Sequence, residues 1–392
     1  MCSTSTEPLM RMVLTMIYFD YAATCPLGKE AGEAYIKAAS EYFGNSSSLH
    51  DIGDTANSLL ENCRTEIAKM LGVQSDGVFF TSGGSESNYL GIQALLSSKH
   101  KTGKHIISGI AEHSSIGGTL DKLEKEGYEV TQLGLNNEGI IDLSELEQAI
   151  KEDTVLAIFQ HGNSEIGTIQ PIRKIHSILF KNNILFHSDC VHTFGKIDLK
   201  EISPFVDSIA LSGHKIYGPK GVGVLYVSPS IAWKPYYHGV THEKGMRPGT
   251  VNVPAVVSMT VAAQQFEKKR EIFATHYKNL RNTLLHGLEE VAQHLIVYNF
   301  DDCHQLPSTV GLRVKGLEGQ WVMLECNRYG FALSTGSACQ VGKQSPSKAM
   351  KALGVMEKEA KEFIRISFGI ETTLEEVQQL ASTIVTIIKS VK

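Results

Sequence analysis

The stretch Val78-Phe79-Phe80-Thr81-Ser82-Gly83-Gly84-Ser85-Glu86-Ser87-Asn88 sets the reading of the fold. Three large apolar residues and a threonine make a short buried strand, two glycines turn the chain, and helical spacing runs on over 86–98. The same alternation recurs outward from it. His105-Ile106-Ile107-Ser108, Val155-Leu156-Ala157-Ile158, Ile184-Leu185-Phe186, Ser208-Ile209-Ala210-Leu211 and Gly223-Val224-Leu225-Tyr226 read as further buried strands, with amphipathic stretches such as 118–126 between them. This predicts an α/β domain around a mostly parallel sheet, with ligands expected beyond the carboxyl ends of its strands.

After about residue 257 the texture changes. A long helix is predicted over about 258–291, then short strands over 308–314 and 364–368, with helices between and after them. That pattern predicts a smaller α+β domain. The last stretch, 373–391, has helical spacing, with Thr372-Thr373 as the N-cap candidate and Glu375-Glu376 in its first turn.

With 392 residues the chain suits two domains, and 42% apolar against 20% charged residues is a globular profile. The net charge of −5 gives no basic excess for a general nucleic-acid binder. No apolar run is long enough to span a membrane, and residues 1–15 lack the contiguous apolar core of a signal peptide, so a cytoplasmic location is expected. Seven cysteines (Cys2, Cys25, Cys63, Cys190, Cys303, Cys326 and Cys339) form no C-x-x-C pair, and no metal site is expected.

Four motifs carry candidate chemistry. The turn Thr81-Ser82-Gly83-Gly84-Ser85 opens a helix whose free N–H groups can hold an anion; a plain strand-to-helix turn fits it equally well. Ser212-Gly213-His214-Lys215 precedes a glycine-rich run, and its lysine could form a Schiff base. His187-Ser188-Asp189 follows a strand, where an Asp can pair with a protonated pyridine nitrogen or simply cap a helix. Ser334-Thr335-Gly336-Ser337-Ala338-Cys339 sets a cysteine among small residues, as an accessible thiolate requires, though most cysteines are buried and inert.

Taken together and in order, these motifs resemble the NifS/IscS-type cysteine desulfurases of the class V aminotransferase group, over nearly the whole chain from Met16. Tyr18-Phe19-Asp20-Tyr21-Ala22-Ala23-Thr24, Phe43-Gly44-Asn45, Glu112-His113-Ser114-Ser115, Ser164-Glu165-Ile166-Gly167 and the 242–253 segment extend the likeness. The resemblance implies the fold type I of pyridoxal-phosphate (PLP) transferases. Residues 31–257 would form a large domain on a mostly parallel seven-stranded sheet. Residues 258–392 would form a small domain bearing the cysteine loop, with 16–30 packed against it and 1–15 a disordered extension.

The resemblance also implies roles. Lys215 would carry pyridoxal 5'-phosphate, Asp189 would face its ring nitrogen, and His113 would stack on the ring and help move protons. Gly84, Ser85, Ser212 and His214 would hold the phosphate, and Thr250 would reach the cofactor of the other subunit of a homodimer. Ser164 and His192 would lie by the cofactor, and Asn45, Asn163 and Arg365 by the substrate, with Arg365 gripping the α-carboxylate. Cys339 would take sulfur from L-cysteine as a persulfide, leaving alanine, and pass it to an acceptor protein such as an iron–sulfur scaffold or a tRNA-thiolation enzyme. A selenocysteine lyase, another class V enzyme or a non-catalytic binder on the same fold are the alternatives. Two positions depart from the family pattern: His192 stands for a Gln and Ser164 for an Asn. An imidazole at 192 is expected to change charge near neutral pH.

Overall fold

The computed structural model describes residues 16–98, 100–235, 239–301, 304–336 and 347–391. Its strands in chain order are β1 (Ile17–Tyr18), β2 (Val78–Thr81), β3 (His105–Gly109), β4 (Glu129–Leu133), β5 (Thr154–Gln160), β6 (Leu185–Asp189), β7 (Ser208–Ser212), β8 (Gly223–Val227), β9 (Leu295–Tyr298), β10 (Thr309–Val314), β11 (Phe331–Ala332) and β12 (Phe363–Ser367).

Seven of them form one sheet in the order β2-β8-β7-β6-β5-β3-β4. Only β8 runs against the rest, antiparallel to both β2 and β7. Strands β5, β6 and β7 are buried along their whole length, as parallel strands covered on both faces must be. Core clusters lie on both faces: Phe159, Phe186 and Ile209 belong to one, Leu156, Ile158 and Ile106 to the other. Each large apolar side chain so enclosed contributes about 1.5–3 kcal/mol. Edge strand β4 is the half-exposed exception.

A second sheet, β12-β10-β9, is antiparallel and carries a separate core around Leu312, Ile364, Ile366 and Leu380. The chain's start joins this part: β1 pairs with β11, and Phe19 sits in the same core. One 35-residue helix, Val253–Gly287, runs from one part to the other, with Phe266 in the first core and Leu280 and Leu284 in the second. It starts five residues before the predicted point, because Asn252 caps it and a proline occupies its first turn.

Thr81, Gln160, Asp189 and Ser212 are the last residues of β2, β5, β6 and β7. Parallel direction therefore gathers the loops that follow them at one end of the sheet, where the motifs read from the sequence lie.

Candidate active site

A cavity of about 500 Å³ opens at that end. It is lined by Gly84, Ser85, His113, Ser164, Asp189, His192, Ser212, His214, Lys215 and Arg365, ten of the residues singled out in the sequence.

The phosphate-cradle reading fits. Gly83 takes φ 151°, and a Cβ on Gly84 would lie 2.7 Å from a Val191 methyl, so the turn admits no side chains there. The 14-residue helix Gly84–Ser97 then opens toward the cavity with its free N–H groups. Ser212 lines the same space, and its buried Oγ has no hydrogen-bond partner among the described residues. An orphaned buried hydroxyl beside a helix N-terminus is what an anion site looks like before its anion is counted.

The turn Gly213–Lys215 presents the lysine. Lys215 Nζ donates to the carbonyls of Ala22 and Ala23, at 2.5 and 2.7 Å. Tyr217 just beyond holds φ 62°, a strained value for a non-glycine, and its hydroxyl accepts from Ile370 N at 2.8 Å. His214 is pushed down to about 4, first by burial and then by Lys215, Lys220 and His113.

Asp189 is buried at the end of β6. Its Oδ1 accepts from Val191 N at 2.9 Å and its Oδ2 from Asn88 Nδ2 at 2.8 Å. Arg365, on β12, reaches in from the other part of the molecule. It donates to Asp20 Oδ1 at 2.6 Å and to the Ser164 carbonyl at 3.3 Å, while its buried Nε has no partner among the described residues. That open N–H suits a carboxylate ligand.

Other expected residues are placed differently. His192 does line the cavity, but its imidazole is held well below the ordinary range, first by burial and then by Lys215, Lys196, Arg365 and His113. This corrects the expectation of a charge change near neutrality: burial, with the cations Lys215, Lys196 and Arg365 nearby, keeps the ring neutral. Asn163 is buried outside the cavity lining, its Oδ1 accepting from Glu165 N and Ile166 N to shape the turn. Asn45 and Thr250 are exposed and do not line the cavity. Cys339 lies outside the described residues, although Gly336 and Lys348 on either side of 337–346 both line the cavity.

Four lining residues escaped the sequence reading. Asn88 lies three residues after Ser85, on the same helical face, a legible signal. Glu112 precedes His113; burial drives its carboxyl well above the usual range, and its Oε2 is unpartnered. Glu165 is raised too, chiefly by burial, and accepts from Ser347 Oγ and Ala349 N. Lys348 Nζ donates to the Glu112 carbonyl at 2.8 Å, and nothing in the local sequence marks it.

The family model for class-V aminotransferases matches residues 17–380. A relative named NifS from Bacillus subtilis (strain 168) is 44% identical, over 94% of this chain and 93% of its own. The cysteine desulfurase IscS of Neisseria meningitidis serogroup C / serotype 2a is 36% identical, over 95% of this chain and 92% of its own. A solved structure of a NifS-like protein superposes with a TM-score of 0.87 at 31% identity, covering 96% of this chain and all of that one. Matches of this reach, on a cavity of this composition, show that the chain belongs to the class-V aminotransferase family, among its NifS/IscS-type cysteine desulfurases.

Proposed function

We propose that the cavity takes L-cysteine, releases alanine and delivers the sulfur to Cys339 as a persulfide. The chain is a PLP-dependent cysteine desulfurase by its family, and what is inferred here is the part each residue plays. Pyridoxal phosphate, when bound, supplies an electron sink that weakens the bonds at the substrate's Cα and Cβ.

Lys215 would hold the cofactor and take the Cα proton on its amine. Its ammonium rests on two backbone carbonyls, so the side chain is aimed into the cavity. The Asp189 carboxylate would keep a proton on the ring nitrogen. Gly84, Ser85, Ser212 and His214 would hold the phosphate, with Ser164, His192 and His113 around the ring. Arg365 would bind the substrate carboxylate through its open edge, and Asn163 would shape the turn after Ser164 through its bonds to Glu165 N and Ile166 N. Cys339 would attack the substrate sulfur: an S–S bond forms as the Cβ–S bond breaks, and that pair of electrons stays with the carbon skeleton that leaves as alanine. The thiolate is the nucleophilic form.

We also infer a homodimer, with Thr250 reaching the partner's cofactor, and an acceptor protein for the persulfide. Exposed Thr250 and the exposed apolar residues Leu27, Ile36, Phe43, Leu49 and Ile52 support the dimer. The observation that carries the proposal is the meeting of Lys215, Asp189, Arg365 and the orphaned Ser212 hydroxyl in one cavity. Mass spectrometry after adding cysteine should find one extra sulfur on Cys339, and none in Lys215→Ala. A Cys339 unmodified while alanine accumulates would overturn the assignment of the nucleophile.

A further inference from the structure

Six polar side chains, three of them lining the cavity, form one branched chain of hydrogen bonds. Asp189 is the fixed point. A carboxylate only accepts, so the Asn88 atom 2.8 Å from Asp189 Oδ2 must be the amide nitrogen. Asn88 Oδ1 therefore faces His187 Nε2, at 3.0 Å, and that nitrogen must carry the hydrogen. His187 Nδ1 is then an acceptor and takes the hydroxyl hydrogen of Ser208, at 2.9 Å. Burial holds this ring neutral, which agrees with a single ring hydrogen.

The second hydrogen on Asn88 Nδ2 goes to Ser115 Oγ, at 3.1 Å. That fills one of the two acceptor sites of the hydroxyl and leaves its own hydrogen able to turn to His113 Nδ1, 2.8 Å away. A second donor makes the same demand. His113 is the N-cap of the helix Ser114–Lys125, and its Nδ1 accepts from Ser115 N at 3.2 Å. A backbone N–H cannot reverse its role.

We infer that Asn88 and the helix cap lock His113 as the neutral tautomer protonated at Nε2, so that the ring works in the cavity as a hydrogen-bond donor and not as a base. Nδ1 receives two hydrogens and has none to give. Nε2 makes no hydrogen bond among the described residues and already carries its hydrogen. A proton on Nδ1 would set N–H against N–H and break the cap. Burial, Lys215 and Lys348 likewise disfavour the charged ring, against the opposing pull of Asp189. The Cα proton must then go to the Lys215 amine. Asn88 is a positioning residue: it touches Asp189 and, through Ser115, orients the tautomer of a ring on another element. The donor's target rests on the desulfurase reading; the tautomer does not.

The test is nitrogen NMR of the holoenzyme labelled with 15N-histidine, with His113 assigned through His113→Gln. The expected result is a bare Nδ1 and a protonated Nε2 across neutral and mildly alkaline pH. Ser115→Pro, which removes both donors to Nδ1 in a first helical turn that tolerates proline, should shift the two His113 signals toward a mixture of tautomers, whereas Ser115→Ala and Asn88→Ala keep the backbone N–H of the cap and should move them far less. A protonated Nδ1 or an imidazolium in the wild type overturns the inference. So do unchanged His113 signals in a folded Ser115→Pro chain; should that chain fail to fold, the wild-type spectrum carries the test. Loss of cysteine turnover with the expected spectrum intact would count against the desulfurase assignment and leave the tautomer standing.

Discussion

Buried imidazoles give this protein an acid-sensitive interior. His161 and His187 are pushed down to about 4 and about 3 by burial alone, against an ordinary 6.5. In the unfolded chain both would take a proton as pH falls through 6.5; in the folded chain they stay neutral until about 4 or below. The unfolded state thus binds more protons in that window, and stability falls as pH drops from about 6.5 toward about 4. Glu112 and Glu165, held protonated above the usual range, act in the opposite sense. A single substitution separates the two effects. In His161→Asn the side-chain amide can take over the bond that Nδ1 makes with Thr193 Oγ1, but nothing titrates. Its melting temperature should fall less steeply on acidification than that of the wild type. Equal slopes would mean that His161 titrates normally in the folded protein.

At the scale of elements, the phosphate turn is braced by a loop distant in sequence. Glu243 makes a bidentate ion pair with Arg64, both contacts at 2.9 Å, with both side chains buried. The same carboxylate accepts from Phe80 N at 2.6 Å, one residue before the end of β2. Arg247 Nε donates to Glu86 Oε2 at 2.8 Å, and that oxygen accepts from Ser82 N. Glu243 and Lys244 hold φ 46° and 56°, strain that these contacts must sustain. Glu243→Gln leaves buried Arg64 with only the half-exposed Glu61 as counter-ion and should cost up to about 3–5 kcal/mol, read as a lower denaturant midpoint. No change would show that water reaches the pair.

None of this brace was legible in the sequence, because its partners lie 179 and 161 residues apart. What was legible had local causes. The strands β2, β3, β5, β7 and β8 announce themselves as short apolar runs, and Thr373 caps the last helix with Glu376 returning the bond, as the spacing indicated. Strand β4 went unread because an edge strand alternates weakly and is half exposed. The site was legible as ordered motifs; Lys348 and the orientation of Asn88 depend on packing that only the folded chain defines.

For the whole molecule, the exposed residues Phe43, Leu49 and Ile52 lie at or beside the start of the helix Asp51–Leu71, Leu49 fully exposed. If a second copy covers them, Leu49→Glu should give a monomer in sedimentation analysis and speed cofactor loss, since the partner's Thr250 departs with it. A dimer unchanged by the substitution would place the interface elsewhere. The helix Val253–Gly287 has a further consequence. Its two halves are rooted in different cores, so it acts as an axle between the part that bears Lys215 and the part that bears Arg365. Any rocking that widens the gap between amine and guanidinium must twist or bend that axle. The span between amine and guanidinium is therefore held by that rod together with the contacts that cross beside it, Arg365 to the Ser164 carbonyl and Ile370 N to the Tyr217 hydroxyl.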